Sequence, residues 1–567
     1  MSAADSDLAF LPSWFRDYDR SRFRGDLAAG LIVGVVLIPQ GMAYALLAGV
    51  PPVYGLYASL IPLLVYALFG SSRHLAVGVV AIDSLIVAAG IAALSPETPT
   101  EALGLTFTLA LMVGLIQMAM GALRFAFVVN LLSRPVITGF TSAASLIIGL
   151  SQLKHLLGVE LDRNLNVFSL LLEATEKLGG THLPSLSIGL GGILFLVFSR
   201  KFFPRLPAPL LVVVLSALAV VALNLGEKGV SLVGVIPVGL PEPGIPAFSI
   251  DAVRSLLPTA ITLSLVQFMG VISLGKVFAA KHGYRVQPSR ELIVLGAMNT
   301  VGSMFQSIPV SGSFSRSAVN DRAGAQTSLA NAIAAVLVGL VLLFLTPLFA
   351  WLPIPVFASI IMVSAFGLID LAEVRLLMKT KALDGIIALL TFFATLTLGI
   401  YQGILVGIGL SVIAIMYRIT RPNVAVLGLL PATRSFRDTV NHAGAKQFDD
   451  VLILRIDASF SFANADRLRD VITTGVNDTG ARAVILDASS INDLDTTALS
   501  VLEETFRILQ NRNVLFLIAG ARQSVLDILE HSSAVDTFSN ETFFLSPWRA
   551  LHHVLTMWGR QDELASH

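Results

Sequence analysis

Between two long apolar runs lies Phe305-Gln306-Ser307-Ile308-Pro309-Val310-Ser311-Gly312-Ser313-Phe314-Ser315-Arg316-Ser317-Ala318-Val319-Asn320, small and hydroxyl-bearing residues with one strong positive charge, Arg316. Pro309 and Gly312 end whatever helix precedes them, and Ser311 or Ser313 then caps a new, short helix over Ser313 to Asn320. The free N–H groups of such a helix, the positive end of its dipole and the guanidinium all favour an anion. A counterpart stands in the first half of the chain, Ser72-Arg73-His74-Leu75-Ala76-Val77-Gly78-Val79-Val80-Ala81-Ile82-Asp83-Ser84, a second polar break leading into a short apolar helix. The chemistry on offer is the holding of an anion, with no bond made or broken. Arg316 could instead pair with an internal acid, but a charge inside an apolar segment is a functional-site residue by default.

Helices this short cannot cross about 30 Å of hydrocarbon. A broken helix at that depth is tolerated where protein buries it or where it lines a wet cavity, because lipid cannot satisfy its free backbone groups. The composition agrees with such surroundings. Of 567 residues, 55% are hydrophobic and 13% charged, and the mean hydropathy is +0.79, which describes a polytopic α-helical membrane protein. The absence of cysteine excludes disulfides, thiol catalysis and Cys-based metal sites. No basic cluster points to nucleic acid. No cofactor, metal or enzymatic constellation is expected.

Apolar spans fall near 26–46, 54–70, 79–94, 102–121, 129–150, 185–199, 207–225, 256–279, 290–308, 313–322, 327–349, 353–369, 384–400 and 402–419, fourteen in all with two of them short. If each crosses, Arg22, Arg24, Arg73, Arg124, Arg200, Lys281, Arg285, Arg375 and Arg418 share one side, while Glu97, Glu101, Glu160, Glu173, Glu227 and Glu242 sit on the other. Both termini are then cytoplasmic by the positive-inside rule. Fourteen spans with one break per block of seven suggest two inverted seven-segment repeats, since the second block must enter from the opposite side. Most glycines inside the spans read as close helix packing.

The domain boundaries expected are a cytoplasmic N-terminal segment over 1–25 without signal-peptide features, a membrane domain over 26–421 with repeats at about 26–225 and 256–421, and a cytoplasmic linker and domain over 422–567. From Pro422 on the composition is that of a soluble protein. Val451-Leu452-Ile453-Leu454-Arg455-Ile456, Ala483-Val484-Ile485-Leu486-Asp487 and Val514-Leu515-Phe516-Leu517-Ile518 are β-prone, with helical stretches such as Thr496 to Asn511 between them. This is a small α/β domain with no phosphate loop or metal-ligand spacing, and it reads as regulatory or structural.

Several runs carry a family resemblance. Ile38-Pro39-Gln40-Gly41-Met42-Ala43-Tyr44-Ala45, Pro51-Pro52-Val53-Tyr54-Gly55-Leu56-Tyr57, Ser72-Arg73-His74, Glu291-Leu292-Ile293-Val294-Leu295-Gly296 and Gly312 to Asn320 resemble the SulP anion transporters, the sulfate permease family. Val484 to Asp487 with Asp495-Thr496-Thr497-Ala498 resembles a STAS domain. The resemblance implies fourteen segments divided into a core and a gate domain, a homodimer, and secondary active transport of a small anion in a cell membrane, as in a bacterial inner membrane. Sulfate comes first; bicarbonate, a dicarboxylate, or an exchanger or channel of the same family are the alternatives.

Carried over position by position, the substrate site falls on Gln40, on Val80 and Ala81 at the start of the third span, and on Ser315 and Arg316. Gln40 could otherwise bond a neighbouring helix. Many relatives keep an acid in the eighth span where Gly270 stands here, in Gln267-Phe268-Met269-Gly270-Val271, and that acid is associated with cation coupling. Asp83, one turn inside the third span, is an acid that could take over a proton or sodium role together with Gln267 and a cavity at Gly270, or it could serve as a cap. Thr496 lies where related soluble STAS proteins are phosphorylated, although Asp495 and Thr496 also suit a helix N-cap.

Overall fold

The structure, a computed structural model, describes residues 18–125, 133–161, 167–203, 207–246, 249–431, 433–531, 538 and 540–562. The N-terminal segment as far as residue 17, the first residues of the span expected over 129–150 and the last five residues of the chain lie outside the described residues. Two compact units divide between Ser411 and Val412.

The first unit is helical: α1 (Arg20–Leu47), α2 (Val53–Tyr57), α3 (Ile61–Phe69), α4 (Ala81–Ala92), α5 (Pro99–Ala122), α6 (Arg134–Ser151), α7 (Leu153–Leu157), α8 (Val167–Glu176), α9 (Leu183–Phe202), α10 (Ala208–Ala222), α11 (Ile250–His282), α12 (Pro288–Ser303), α13 (Phe314–Arg322), α14 (Leu329–Phe344), α15 (Ile354–Phe366), α16 (Leu371–Thr380), α17 (Ala382–Leu398) and the first part of α18 (Ile400–Thr420). Every expected span coincides with a helix or a helix pair. Among the described residues, seven helices are long and apolar enough to cross a membrane and five shorter segments are apolar. The two remaining spans, α12 and α13, fall short because Arg290, Glu291 and Asn299 interrupt the first and the second has only nine residues.

Two differences from the expected spans have local causes. The span expected over 54–70 is two helices, broken after Tyr57 and restarted with Pro62 in the first turn of α3. Proline suits that position, where its missing N–H costs nothing. α11 begins at Ile250, where Ser249 accepts from Ala252 N, and runs through Pro258 to His282. The outer surface is apolar, with Leu194, Phe198, Leu215 and Leu218 all exposed. Such a surface suits lipid and would be an aggregation hazard in water.

Two short strands join the halves. β1 (Val77–Gly78) pairs antiparallel with β2 (Ser311–Gly312), Val77 opposite Gly312 and Gly78 opposite Ser311. Each strand leads into a short helix, α4 or α13, and antiparallel pairing is what two halves of opposite orientation produce.

The second unit holds β3 (Val424–Leu429), β4 (Phe436–Asp438), β5 (Val451–Ile456), α19 (Ala465–Thr479), β6 (Ala483–Asp487), α20 (Thr496–Asn511), β7 (Leu515–Ala519), α21 (Gln523–Glu530), β8 (Phe543–Phe544) and α22 (Pro547–Met557). The sheet order is β4-β3-β5-β6-β7-β8. β5 to β8 are parallel, and β3 runs antiparallel to both β4 and β5. Side chains alternate across it: Leu452, Leu454, Val484, Leu486 and Phe516 pack with α19, α20 and α21, while Ile453, Ile485 and Leu517 pack with α22. The three expected strands are β5, β6 and β7. The division precedes the expected boundary at 422 because the end of α18 belongs with this unit, where Asn464 Nδ2 donates to the Ile419 carbonyl at 3.3 Å.

Candidate anion-binding site

The polypeptide at each break is not helical, so its polar groups need partners inside protein. Side chains of α13 and α14 supply them. Ser317 Oγ accepts from Ala76 N at 2.9 Å, Asn331 Oδ1 accepts from Val77 N at 3.2 Å, and Asn331 Nδ2 and Asn320 Nδ2 donate to the carbonyls of Leu75 and His74 at 2.9 and 3.0 Å. Two buried carboxylates fix the flanking turns. Glu291 accepts from Ser71 N at 2.7 Å and Ser72 N at 3.0 Å, and Asp26 accepts from Gln326 N at 2.7 Å and Thr327 N at 2.9 Å.

Of the two serines that could cap α13, Ser313 does so, accepting from Arg316 N at 3.5 Å. Ser311 Oγ instead donates to Asp83. Arg316, in the first turn of α13, is fully buried. Its Nη1 donates to Gln40 Oε1 at 3.3 Å, and its Nε and Nη2 have no hydrogen-bond partner in the protein. Gly78 opens the space beside it. A Cβ there would stand 3.2 Å from Arg316 Nη2, and φ is +141°, a conformation left to glycine.

Val80 is the extended N-cap of α4 and provides no side-chain acceptor for the first turn; Ala81 is the first helical residue. Ser315 is exposed in the first turn of α13, its Oγ 3.3 Å from Ser313 Oγ. The structure thus brings Gln40 and Arg316 into contact and sets Ala81 and Ser315 in the first turns of the two helices that leave the paired strands.

Asp83 is buried in the first turn of α4. Besides Ser311, Gln267 Nε2 donates to it at 3.1 Å. Gln267 Oε1 in turn accepts from Gln117 Nε2 at 2.9 Å and Asn299 Nδ2 at 3.2 Å, and Asn299 Oδ1 accepts from Val310 N at 2.8 Å. One polar network therefore ties α4, α5, α11 and α12 to the chain entering β2. Gly270 does not join it. One turn further along α11 it is exposed, with nothing within 4 Å of a Cβ placed there, so the residue reaching Asp83 is Gln267. Gln117, Asn299, Asn320 and Asn331 were missed from sequence; the available signal was a lone amide in each apolar segment.

In the second unit Asp495 caps α20, accepting from Ala498 N at 2.8 Å. Thr496 is the first helical residue and exposed. The cap expected of the Asp495-Thr496 pair is therefore made by Asp495.

Residues 23–391 match the Sulfate permease family, and residues 442–547 match the STAS domain. The chain is 35% identical over 552 residues to Sulfate transporter 4.1, chloroplastic, of Arabidopsis thaliana, covering 94% of this chain and 80% of that one. It is 34% identical over 534 residues to a probable sulfate transporter of Mycobacterium tuberculosis, covering 94% and 95%. Among solved structures, the murine Solute Carrier 26 family member A9 anion transporter in the inward-facing state aligns with a TM-score of 0.90 at 26% identity, covering 98% of this chain and 95% of that one.

Proposed function

The chain belongs to the sulfate permease family, and from that premise we propose that it is a secondary active transporter of small anions, sulfate first, working by alternating access. The anion lies between the first turns of α4 and α13, against Arg316 and Gln40, with Val80, Ala81 and Ser315 around it. The observation that carries this reading is the buried guanidinium of Arg316, whose Nε and Nη2 have no partner in the protein. A buried charge left so under-bonded is expensive, and an oxyanion offers acceptors in the geometry that a guanidinium fork matches. Two helix ends of about +0.5 charge each add to it. That pattern suits sulfate, bicarbonate or a dicarboxylate alike; the names of the relatives put sulfate first.

Transport moves a core domain carrying α1, α4, α11 and α13 against a gate domain. Asp83, with Gln267, takes the coupling proton or sodium ion and so lowers the net charge carried with the anion. The exposed Gly270 in place of an acid favours a second reading, exchange or conduction of anions without a coupled cation. The segregation of cations to one side of the spans supports cytoplasmic termini in a cell membrane, and the family resemblance supports a homodimer. The STAS unit is regulatory. Thr496, exposed at the start of α20, is its candidate phosphorylation site, since a phosphate there would meet the positive end of the helix dipole.

The test is uptake of labelled sulfate into proteoliposomes, with bicarbonate, chloride and dicarboxylates as competitors and with or without proton and sodium gradients. Saturable uptake that sulfate inhibits best and one gradient stimulates is expected. Saturable flux indifferent to both gradients supports exchange; non-saturable flux supports a channel; a better competitor than sulfate reassigns the substrate.

A further inference from the structure

Three side chains that take no part in holding the anion meet at one place. They are His74, between α3 and β1, His282 at the end of α11, and Asp321 near the end of α13. One ligand atom from each lies within 4.8 Å of the other two. His282 Nε2 is 2.6 Å from Asp321 Oδ1, and the His74 and His282 rings are stacked with centroids 3.9 Å apart and planes 13° from parallel. The surroundings orient the donors. Tyr284 Oη stands 3.3 Å from His74 Nδ1, which leaves Nε2 as the available nitrogen, and Lys281 Nζ holds Asp321 Oδ2, which leaves Oδ1.

We propose that His74, His282 and Asp321 form a binding site for one divalent transition-metal ion of the zinc class. Two imidazole nitrogens and one carboxylate oxygen are the donor set such ions take, with the fourth position of a tetrahedron left for water. Magnesium and calcium prefer oxygen alone. Tyr284 and Lys281 are the outer partners that fix the ligands' orientation. The ion ties the end of α13, whose first turn carries Arg316, to the end of α11 and to the turn entering β1. No metal was expected from the sequence, because no two of the three ligands lie in the same segment and the spacing forms no motif.

The experiment uses the full chain, purified without a histidine tag, stripped with a chelator and titrated with zinc chloride against a chromophoric zinc indicator. One zinc per chain is expected. His282→Ala, at an exposed helix end, and Asp321→Asn should each weaken that binding at least about 100-fold, the upper range for losing even an outer partner, while His552→Ala in α22 leaves it unchanged. Cobalt(II) added to the stripped wild-type protein should give the intense visible absorption of a tetrahedral site, a readout that needs no variant to fold. Failure to bind a stoichiometric zinc, an octahedral cobalt spectrum, or unchanged affinity in His282→Ala would overturn the proposal and leave His282, Lys281 and Asp321 as an ion-paired cluster. None of these readouts involves transport, so they stand or fall apart from the assignment of the anion site.

Discussion

Replacing Arg316 by glutamine removes the charge and the fork while leaving an amide able to bond Gln40. The loss can be sized from the donors. Nε and Nη2 have no partner in the protein, and a hydrogen bond involving a charged group contributes about 1.5–3 kcal/mol. Two such bonds to the anion come to about 3–6 kcal/mol, or about 10²- to 10⁴-fold in Kd at about 1.4 kcal/mol per tenfold. Coulomb's law gives a consistent figure, about 4 kcal/mol for unit charges about 4 Å apart at an effective dielectric of about 20. Folding should not suffer in parallel, because a buried guanidinium costs desolvation that glutamine avoids. Arg316→Lys keeps a point charge and loses the planar fork, so it should fall between wild type and Arg316→Gln. The assay is equilibrium binding of labelled sulfate to purified, monodisperse protein, with thermal unfolding in parallel. An unchanged Kd in Arg316→Gln would refute the assignment. A weaker Kd accompanied by a collapse in Tm would show that the residue acts through the fold.

Three further outcomes follow from the same geometry. Asp83→Asn keeps an acceptor for Ser311 and Gln267 but cannot ionise, so sulfate uptake should lose its proton or sodium stimulation; uptake with undiminished gradient dependence would remove Asp83 from coupling. Gly55→Ala puts a Cβ 2.0 Å from the Gly41 carbonyl oxygen and should cost about 1–3 kcal/mol through overpacking, read as a lower Tm, whereas Gly191→Ala, with nothing within 4 Å, should leave Tm unchanged or slightly higher. Asp495→Ala removes the cap of α20 and the acceptor for Phe462 N at 2.7 Å, so the STAS transition in chemical denaturation should lose about 1 kcal/mol; an unshifted midpoint would dismiss the cap as a stabilising contact.

The elements and breaks were legible because they depend on neighbours in the chain. Apolar length places the helices, Pro309 and Gly312 interrupt them, and a serine before Phe314-Ser315-Arg316 caps the next one. The strands β5, β6 and β7 stand out because each is a short, β-prone apolar run between polar stretches. Orientation within the membrane unit was not legible. A helix that is apolar all round has no stripe to say which face turns inward, so nothing in Gln267-Phe268-Met269-Gly270 distinguishes the residue that reaches Asp83 from the one that is exposed. The strands β3, β4 and β8 were missed, and the two at the sheet edges, β4 and β8, hold only three and two residues. Which serine caps and which meets Asp83 is fixed by the register of β1 on β2, a contact between residues 77 and 312. The partnership of Gln40 with Arg316, the amide network around Gln267 and the meeting of His74, His282 and Asp321 likewise join residues far apart in the chain. Local sequence sets each segment's conformation; only the packing of the helices decides which buried polar groups satisfy one another and which, as in Arg316, keep donors for a ligand.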